Sequence, residues 1–273
     1  MAGAHRVIAP DLLGLGASDK TAGAALDIRA QTRYVRELLV QLDVDGFAVI
    51  GHSTGGGVAQ LLAADRGVET LVLIDTVAFG AWPSQATTEL QVAPPERETF
   101  ETIELAIRSA FEIGMYDAAM ARSDFEVYLE PWRDPAAVPA FFRWARSIDG
   151  VGLRDLAPQM ATWRMPTLVL WGERDPFHPV SLAEELQEAI PTSALGLVPD
   201  CGHFLPEEAP TTIYPIIAEY LRANYRKEPH GHVAGPVLIP LEVPQADFLG
   251  LVDDADEDDD AIVADDQEVG PNA

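Results

Sequence analysis

A serine at residue 53 stands between glycines in Gly51-His52-Ser53-Thr54-Gly55. The apolar run FAVI precedes it and a helical pattern, GGGVAQLLAAD, follows. A neutral serine hydroxyl is a poor nucleophile. It needs a base to take its proton, and the base needs a group that orients it. Glycines two residues to either side leave room for a sharp strand-to-helix turn that pushes the hydroxyl over a sheet edge. The backbone N–H of Thr54 would then face the negative charge that develops on an attacked carbonyl oxygen.

Partners for Ser53 occur downstream. The stretch LVLWGERDPFHP offers Asp175 just past an apolar run, with Glu173 as its local competitor. The stretch VPDCGHFLPEEAP offers His203 after the next run, with Gly202 giving it room. His52, beside the serine, is expected to point away and act in packing or support. His178 is expected at a rim or substrate loop. The expected catalytic set is Ser53, Asp175 and His203, with Thr54 as oxyanion donor.

These groups converge only if strands and helices carry them to one edge. HRVIAPD (5–11) reads as a short buried strand, and LLGLGASDK (12–20) as a glycine-rich loop. Residues 27–42 place apolar side chains at helical spacing, with Asp27 as N-cap. FAVIGH is a strand, GGGVAQLLAAD a helix and TLVLIDTV a strand. The continuous apolar strands indicate an α/β protein with a mostly parallel sheet covered on both faces. Residues 80–160 hold helical, aromatic-rich stretches with no convincing strand, so a helical insertion over the sheet is expected. Strand and helix then alternate again: 166–173, 181–190, 193–199 and 211–225. The expected divisions are 1–79 for the first part of the core, 80–160 for a helical lid, 161–228 for the rest of the core and 229–273 for a tail. From residue 229 there are twelve acidic residues and no Lys or Arg. Clustered Asp repel and bury nothing, so the tail is expected to be disordered, with VLIPLEV as a possible strand or docking segment. His230 and His232 near it read as loop residues rather than metal ligands.

The 273 residues allow one large domain and a substantial core. Forty-four acidic residues against 18 basic give a net charge of -26. That charge disfavours nucleic acid and anionic membrane surfaces as partners. A lone cysteine, Cys201, cannot form an intrachain disulfide framework. No leader or membrane-spanning run is visible, which makes cytoplasmic localisation the default. The glycines at 55–57 lack a following Lys-Ser/Thr pair and G-x-G-x-x-G spacing, which argues against nucleotide binding.

The pieces RVIAPDLLGLGASDK, VIGHSTGGG, LVLIDTV, PTLVLWGERDP and CGHFLPEEAP together resemble the α/β-hydrolase superfamily over about residues 6–225. The resemblance implies an α/β-hydrolase fold with a helical lid and no cofactor or metal. It places the family's nucleophile, acid and histidine on Ser53, Asp175 and His203. DLLGLGASDK and IDTVAFGAWP are most similar to the branch of haloalkane dehalogenases and epoxide hydrolases. Those enzymes carry Asp at the elbow, so a serine disfavours their chemistry. GHSTGGG is similar to perhydrolase and esterase members. The family pattern also implies about two more strands and an HG-containing loop before RVIAPD, which supply the second oxyanion donor. The fold is therefore expected to be N-terminally incomplete.

The expected reaction is hydrolysis of a carboxylic ester of a small apolar substrate through an acyl-enzyme. Trp82, Trp144 and Phe204 are expected to line the substrate pocket. The alternatives are a C–C bond hydrolase or perhydrolase of the same fold, with Arg143 or Arg146 as a basic group in the lid, and a catalytically impaired binding protein. The sequence leaves the oligomeric state open.

Overall fold

The computed structural model describes residues 5–225 apart from 66, 81–84, 118, 121–125 and 150. In chain order the first elements are α1 (Ile28–Gln41), β1 (Phe47–His52), α2 (Thr54–Ala63) and β2 (Val68–Ile74). Short and longer helices follow: α3 (Gln85–Gln91), α4 (Phe100–Gly114), α5 (Glu126–Leu129), α6 (Val138–Ser147), α7 (Val151–Arg154) and α8 (Ala157–Met160). Then come β3 (Thr167–Gly172), α9 (Val180–Ala189), β4 (Ser193–Val198), α10 (Leu205–Glu208) and α11 (Pro210–Asn224).

The four strands form a parallel sheet in the order β1-β2-β3-β4. Every residue of β3 is buried, and in β2 only Glu69 is exposed, as expected of strands covered on both faces. The two-residue period divides their side chains. Leu71, Leu73, Val169 and Trp171 join Val58, Leu62, Leu182 and Leu186 in one apolar cluster with α2 and α9. Val72, Ile74, Leu168 and Leu170 join Ile213, Ile217 and Leu221 of α11 on the other side. Helix α1 begins where Asp27, its N-cap, accepts a hydrogen bond from the Ala30 N–H at 3.0 Å.

One expected strand does not form. Residues 5–11 contribute an isolated bridge at Ile8, and Val7 is exposed. An apolar run is a strand only where a ladder pairs its backbone, and here the sequence pattern alone could not supply the partner.

Among the described residues, 80–160 contain helices and no strand. The segment has its own core of Ile103, Trp132, Phe141 and Phe142, with Trp144 packed against it. Arg143 of α6 donates to the carbonyls of Lys20 and Thr21 at 3.0 and 3.3 Å. Arg146 pairs with Glu98 at 2.6 Å. Both cations that the C–C hydrolase alternative would use as a basic lid group are therefore engaged, Arg143 with the loop at 20–21 and Arg146 within the segment. The tail 229–273, with VLIPLEV, His230 and His232, lies outside the described residues.

Candidate active site

Strand β1 ends at His52 and α2 starts at Thr54, so Ser53 alone makes the turn. Its backbone sits at φ 52° and ψ -123°, which L-residues avoid. Such strain costs about 1–3 kcal/mol and persists only where neighbours hold it. Here they do. The Ser53 N–H donates to the Ile74 carbonyl at 3.1 Å, and the Ser53 carbonyl accepts from the Gly56 N–H at 3.0 Å. The Thr76 hydroxyl donates to the same carbonyl at 3.0 Å. Thr76 sits fully buried just beyond β2 and was not singled out from sequence. Its only sequence trace is a hydroxyl in the IDT that ends an apolar strand.

The glycines divide the work differently from the motif's expectation. A Cβ at Gly51 would lie 2.6 Å from the Gly56 Cα, so the first glycine is sterically required. A Cβ at Gly55 would meet nothing within 4 Å. A Cβ at Gly56 would instead overlap the Thr76 hydroxyl. Gly55→Ala is therefore expected to keep the fold and to change stability by less than about 1 kcal/mol. Gly56→Ala should destabilise by about 1–3 kcal/mol, because the buried Thr76 has nowhere to retreat. Urea unfolding of the two variants checks the contrast, and equal stabilities would refute it.

The other two groups arrive from the ends of β3 and β4. Asp175 has a wholly buried side chain, whereas its competitor Glu173 is exposed. Asp175 Oδ1 accepts from the N–H groups of Phe177 and His178 at 2.7 and 3.0 Å. Its Oδ2 accepts from His203 Nδ1–H at 2.9 Å. That bond leaves His203 Nε2 as an acceptor, and the Ser53 hydroxyl donates to it at 3.0 Å. Three residues far apart in sequence thus form one directed chain, with the imidazole tautomer set by the carboxylate. Thr54 is the first residue of α2, so its N–H has no carbonyl four residues earlier within the helix.

His203 is held by its backbone as well. Its N–H donates to the Gly114 carbonyl at 2.7 Å, and its carbonyl accepts from His52 Nε2–H at 2.7 Å. A Cβ on Gly202 would overlap the Gly114 carbonyl, so the expected need for space at 202 has a specific cause. Phe204 lies edge-on to His203 at 5.3 Å and stacks on Phe111 of α4 at 4.3 Å. Trp144 packs near Phe141, 5.8 Å between ring centres, in the core of the helical segment. Trp82 lies outside the described residues.

A second carboxyl lies nearby. Asp75 is fully buried at the end of β2, and its Oδ1 accepts from the Gly172 N–H at 2.8 Å, joining the ends of β2 and β3. Burial raises its pKa well above the ordinary carboxylate range.

Two further histidines crowd His203. The His52 ring lies 5.0 Å from it, and the His178 ring 5.1 Å, edge-on. Burial, and next the nearness of His203, lower His52 from 6.5 to about 4. The same two causes, in the same order, bring His178 to about 4. Both rings are therefore neutral around pH 7, which spares His203 a like charge when it takes the serine's proton. The unfolded chain binds protons on these rings below pH 6.5, and the folded chain refuses them down to about 4. Stability should fall as pH drops through that window, by at most about 1.4 kcal/mol per pH unit per ring. Urea midpoints between pH 7 and pH 5 test this. His178→Phe should flatten the slope, and an unchanged slope would refute the assignment.

The alpha/beta hydrolase family model matches residues 1–215. The chain is 28% identical over 234 residues to the AB hydrolase superfamily protein YfhM of Bacillus subtilis, covering 80% of this chain and 81% of that one. It is 28% identical over 226 residues to haloalkane dehalogenase 2 of Mycobacterium tuberculosis, covering 78% of each. Among solved structures, an α/β hydrolase fold protein from Burkholderia ambifaria superposes with a TM-score of 0.68 at 23% identity, over 76% of this chain and 78% of that one. The parallel sheet, the turn at Ser53 and the match along most of the chain agree, and the protein belongs to the α/β hydrolase family.

Proposed function

We propose that the protein is a serine hydrolase that cleaves carboxylic esters of small apolar substrates through an acyl-enzyme. The observation that carries this reading is the hydrogen-bonded chain from Asp175 through His203 to Ser53. His203 Nε2 takes the Ser53 proton as Oγ attacks the ester carbonyl. Asp175 keeps Nδ1 protonated and stabilises the imidazolium. The Thr54 N–H, at the positive end of α2, donates to the oxyanion of the tetrahedral intermediate. His203 then protonates the departing alcohol. In the second half, water loses its proton to the same nitrogen and attacks the acyl group, and the acid leaves with Ser53 restored.

Residues 80–160 are the lid in this reading, and Phe204 is a wall of the acyl site beside His203. Trp144 and Trp82 are further candidates for lining it. The likeness to a haloalkane dehalogenase supports a place near that branch, with different chemistry at the elbow. Serine attack on an alkyl halide would leave an ether, which water under the same base cannot release. A serine suits an acyl group, whose carbonyl permits the second attack. The engagement of Arg143 and Arg146 with backbone and Glu98 gives no support to a basic lid group for C–C bond hydrolysis.

Hydrolysis of p-nitrophenyl acetate, butyrate and octanoate by the purified protein tests the proposal. Turnover above the rate without enzyme is expected, together with stoichiometric labelling of Ser53 by a fluorophosphonate. A folded protein that neither turns over the esters nor labels at Ser53 would overturn it.

A further inference from the structure

Glu208 ends the short helix α10, five residues after His203. Its Oε2 accepts from the Gly202 N–H at 2.7 Å. Its Oε1 accepts from the Tyr116 N–H at 2.6 Å and the Asp117 N–H at 3.2 Å. One carboxylate thus binds three backbone N–H groups from two segments, the chain just past α4 and the peptide that leads into His203. A fourth bond joins the same segments, from the His203 N–H to the Gly114 carbonyl at 2.7 Å. The two backbones touch so closely that a Cβ on Gly202 would overlap the Gly114 carbonyl, and a Cβ on Gly114 would meet the Phe204 and Phe177 rings at 2.6 and 2.7 Å.

We propose that Glu208 is a positioning residue that clips the C-terminal end of α4 onto the Gly202–His203 peptide, so that His203 holds its bond to Ser53 only while that end of the helix is docked. The inference rests on the serine hydrolase reading for its catalytic consequence, and on the hydrogen bonds alone for the clip. The physical reason is the donor count. Three N–H groups converge on one side chain, and hydrogen bonds to a charged acceptor are the stronger kind. Water could replace the carboxylate at each N–H separately but could not tie the two segments together. Tyr116, Asp117, Met120, Asp200 and Glu208 line an open groove beside this clip, so solvent is at hand once it opens. His203 must keep both its ring bonds within a few tenths of an ångström for proton transfer. Release of its peptide at one end therefore weakens catalysis more than substrate binding.

The test compares Glu208→Gln and Glu208→Asp with the natural protein. In Glu208→Gln one acceptor becomes an amide donor facing an N–H. In Glu208→Asp both acceptors remain but retract by one methylene. Amide hydrogen exchange at residues 115–117 and 202–203 should speed up together by about tenfold or more in Glu208→Gln, with the core strands still protected. In the same variant kcat for p-nitrophenyl butyrate and the fluorophosphonate labelling rate should fall in parallel by about 10–100-fold, with KM changed less than about threefold. Glu208→Asp should lie between, as a partial rescue. Exchange that rises at only one of the two segments, or at neither, would overturn the clip. Joint release with kcat and labelling unchanged would overturn the positioning role. Should the natural protein neither hydrolyse nor label, the functional reading fails, and the exchange experiment still decides the clip. If Glu208→Gln does not fold, Glu208→Asp carries both readouts.

Discussion

Ser53→Ala is expected to lower kcat for a p-nitrophenyl ester by about 10⁶-fold, with KM little changed. The size follows from the loss of a covalent route. Without Oγ there is no acyl-enzyme, and His203 Nε2 faces a methyl group where it now accepts a hydrogen bond at 3.0 Å. What remains is the Thr54 N–H and the positioned substrate, which in comparable sites leave roughly 10³–10⁴ over the rate in water. Stability should stay close to that of the natural protein, because alanine at the turn bears the same backbone strain as serine. The hydrogen bonds that hold the turn come from Ser53 backbone atoms, which the substitution leaves in place. Steady-state kinetics with an active-site titrant make the measurement. A variant that retains even a tenth of the natural activity would show that Ser53 is not the nucleophile and would redirect attention to a water that loses its proton to His203 and attacks the ester carbonyl directly.

Asp175→Asn should cost about 10⁴-fold in kcat, more than its unchanged shape would suggest. The reason is in the three hydrogen bonds of its carboxylate. Oδ1 accepts from two backbone N–H groups, Phe177 and His178. An asparagine must keep its carbonyl oxygen there, since an amide NH₂ would face two donors. The NH₂ then occupies the Oδ2 position and donates toward His203 Nδ1. The imidazole must shift its proton to Nε2, and a nitrogen that carries a proton cannot accept one from Ser53. The variant should therefore fold with the same contacts and fail as a base. Proton and nitrogen spectra of the His203 ring would read the tautomer, and pH 7 kinetics the rate. An Nδ1–H tautomer with near-natural activity would sink the argument. Replacement of the exposed Glu173 by Gln serves as the comparison and should leave kcat within about twofold, as for a surface carboxylate that binds nothing essential.

Local pattern fixed much of the architecture from the sequence alone. Apolar pattern chose helix for 27–42 and strand for FAVIGH, LVLI and TLVLWG, because an amphipathic helix shows an apolar stripe while LVLI and TLVLWG, covered on both faces, must be apolar throughout. The order of strand ends also put Ser53, Asp175 and His203 at one edge, since parallel strands all finish on the same side. Contacts between distant segments were a different matter. Whether 5–11 forms a strand depended on a partner backbone, and it makes one bridge at Ile8. Gly51 is required as the motif has it, but that the second crowded glycine at the elbow is Gly56 and not Gly55 depended on Thr76, twenty residues beyond Gly56. Asp175 and Glu173 are equal in sequence, and burial beside two N–H groups separates them. Trp144 is as aromatic as Phe204, yet one packs in the helical segment and the other against the catalytic histidine. Glu208 looked like one more acid in a chain full of them. Its role lies in three N–H groups from two loops, and hydrogen bonds between segments that far apart leave no period, spacing or composition for a sequence to display.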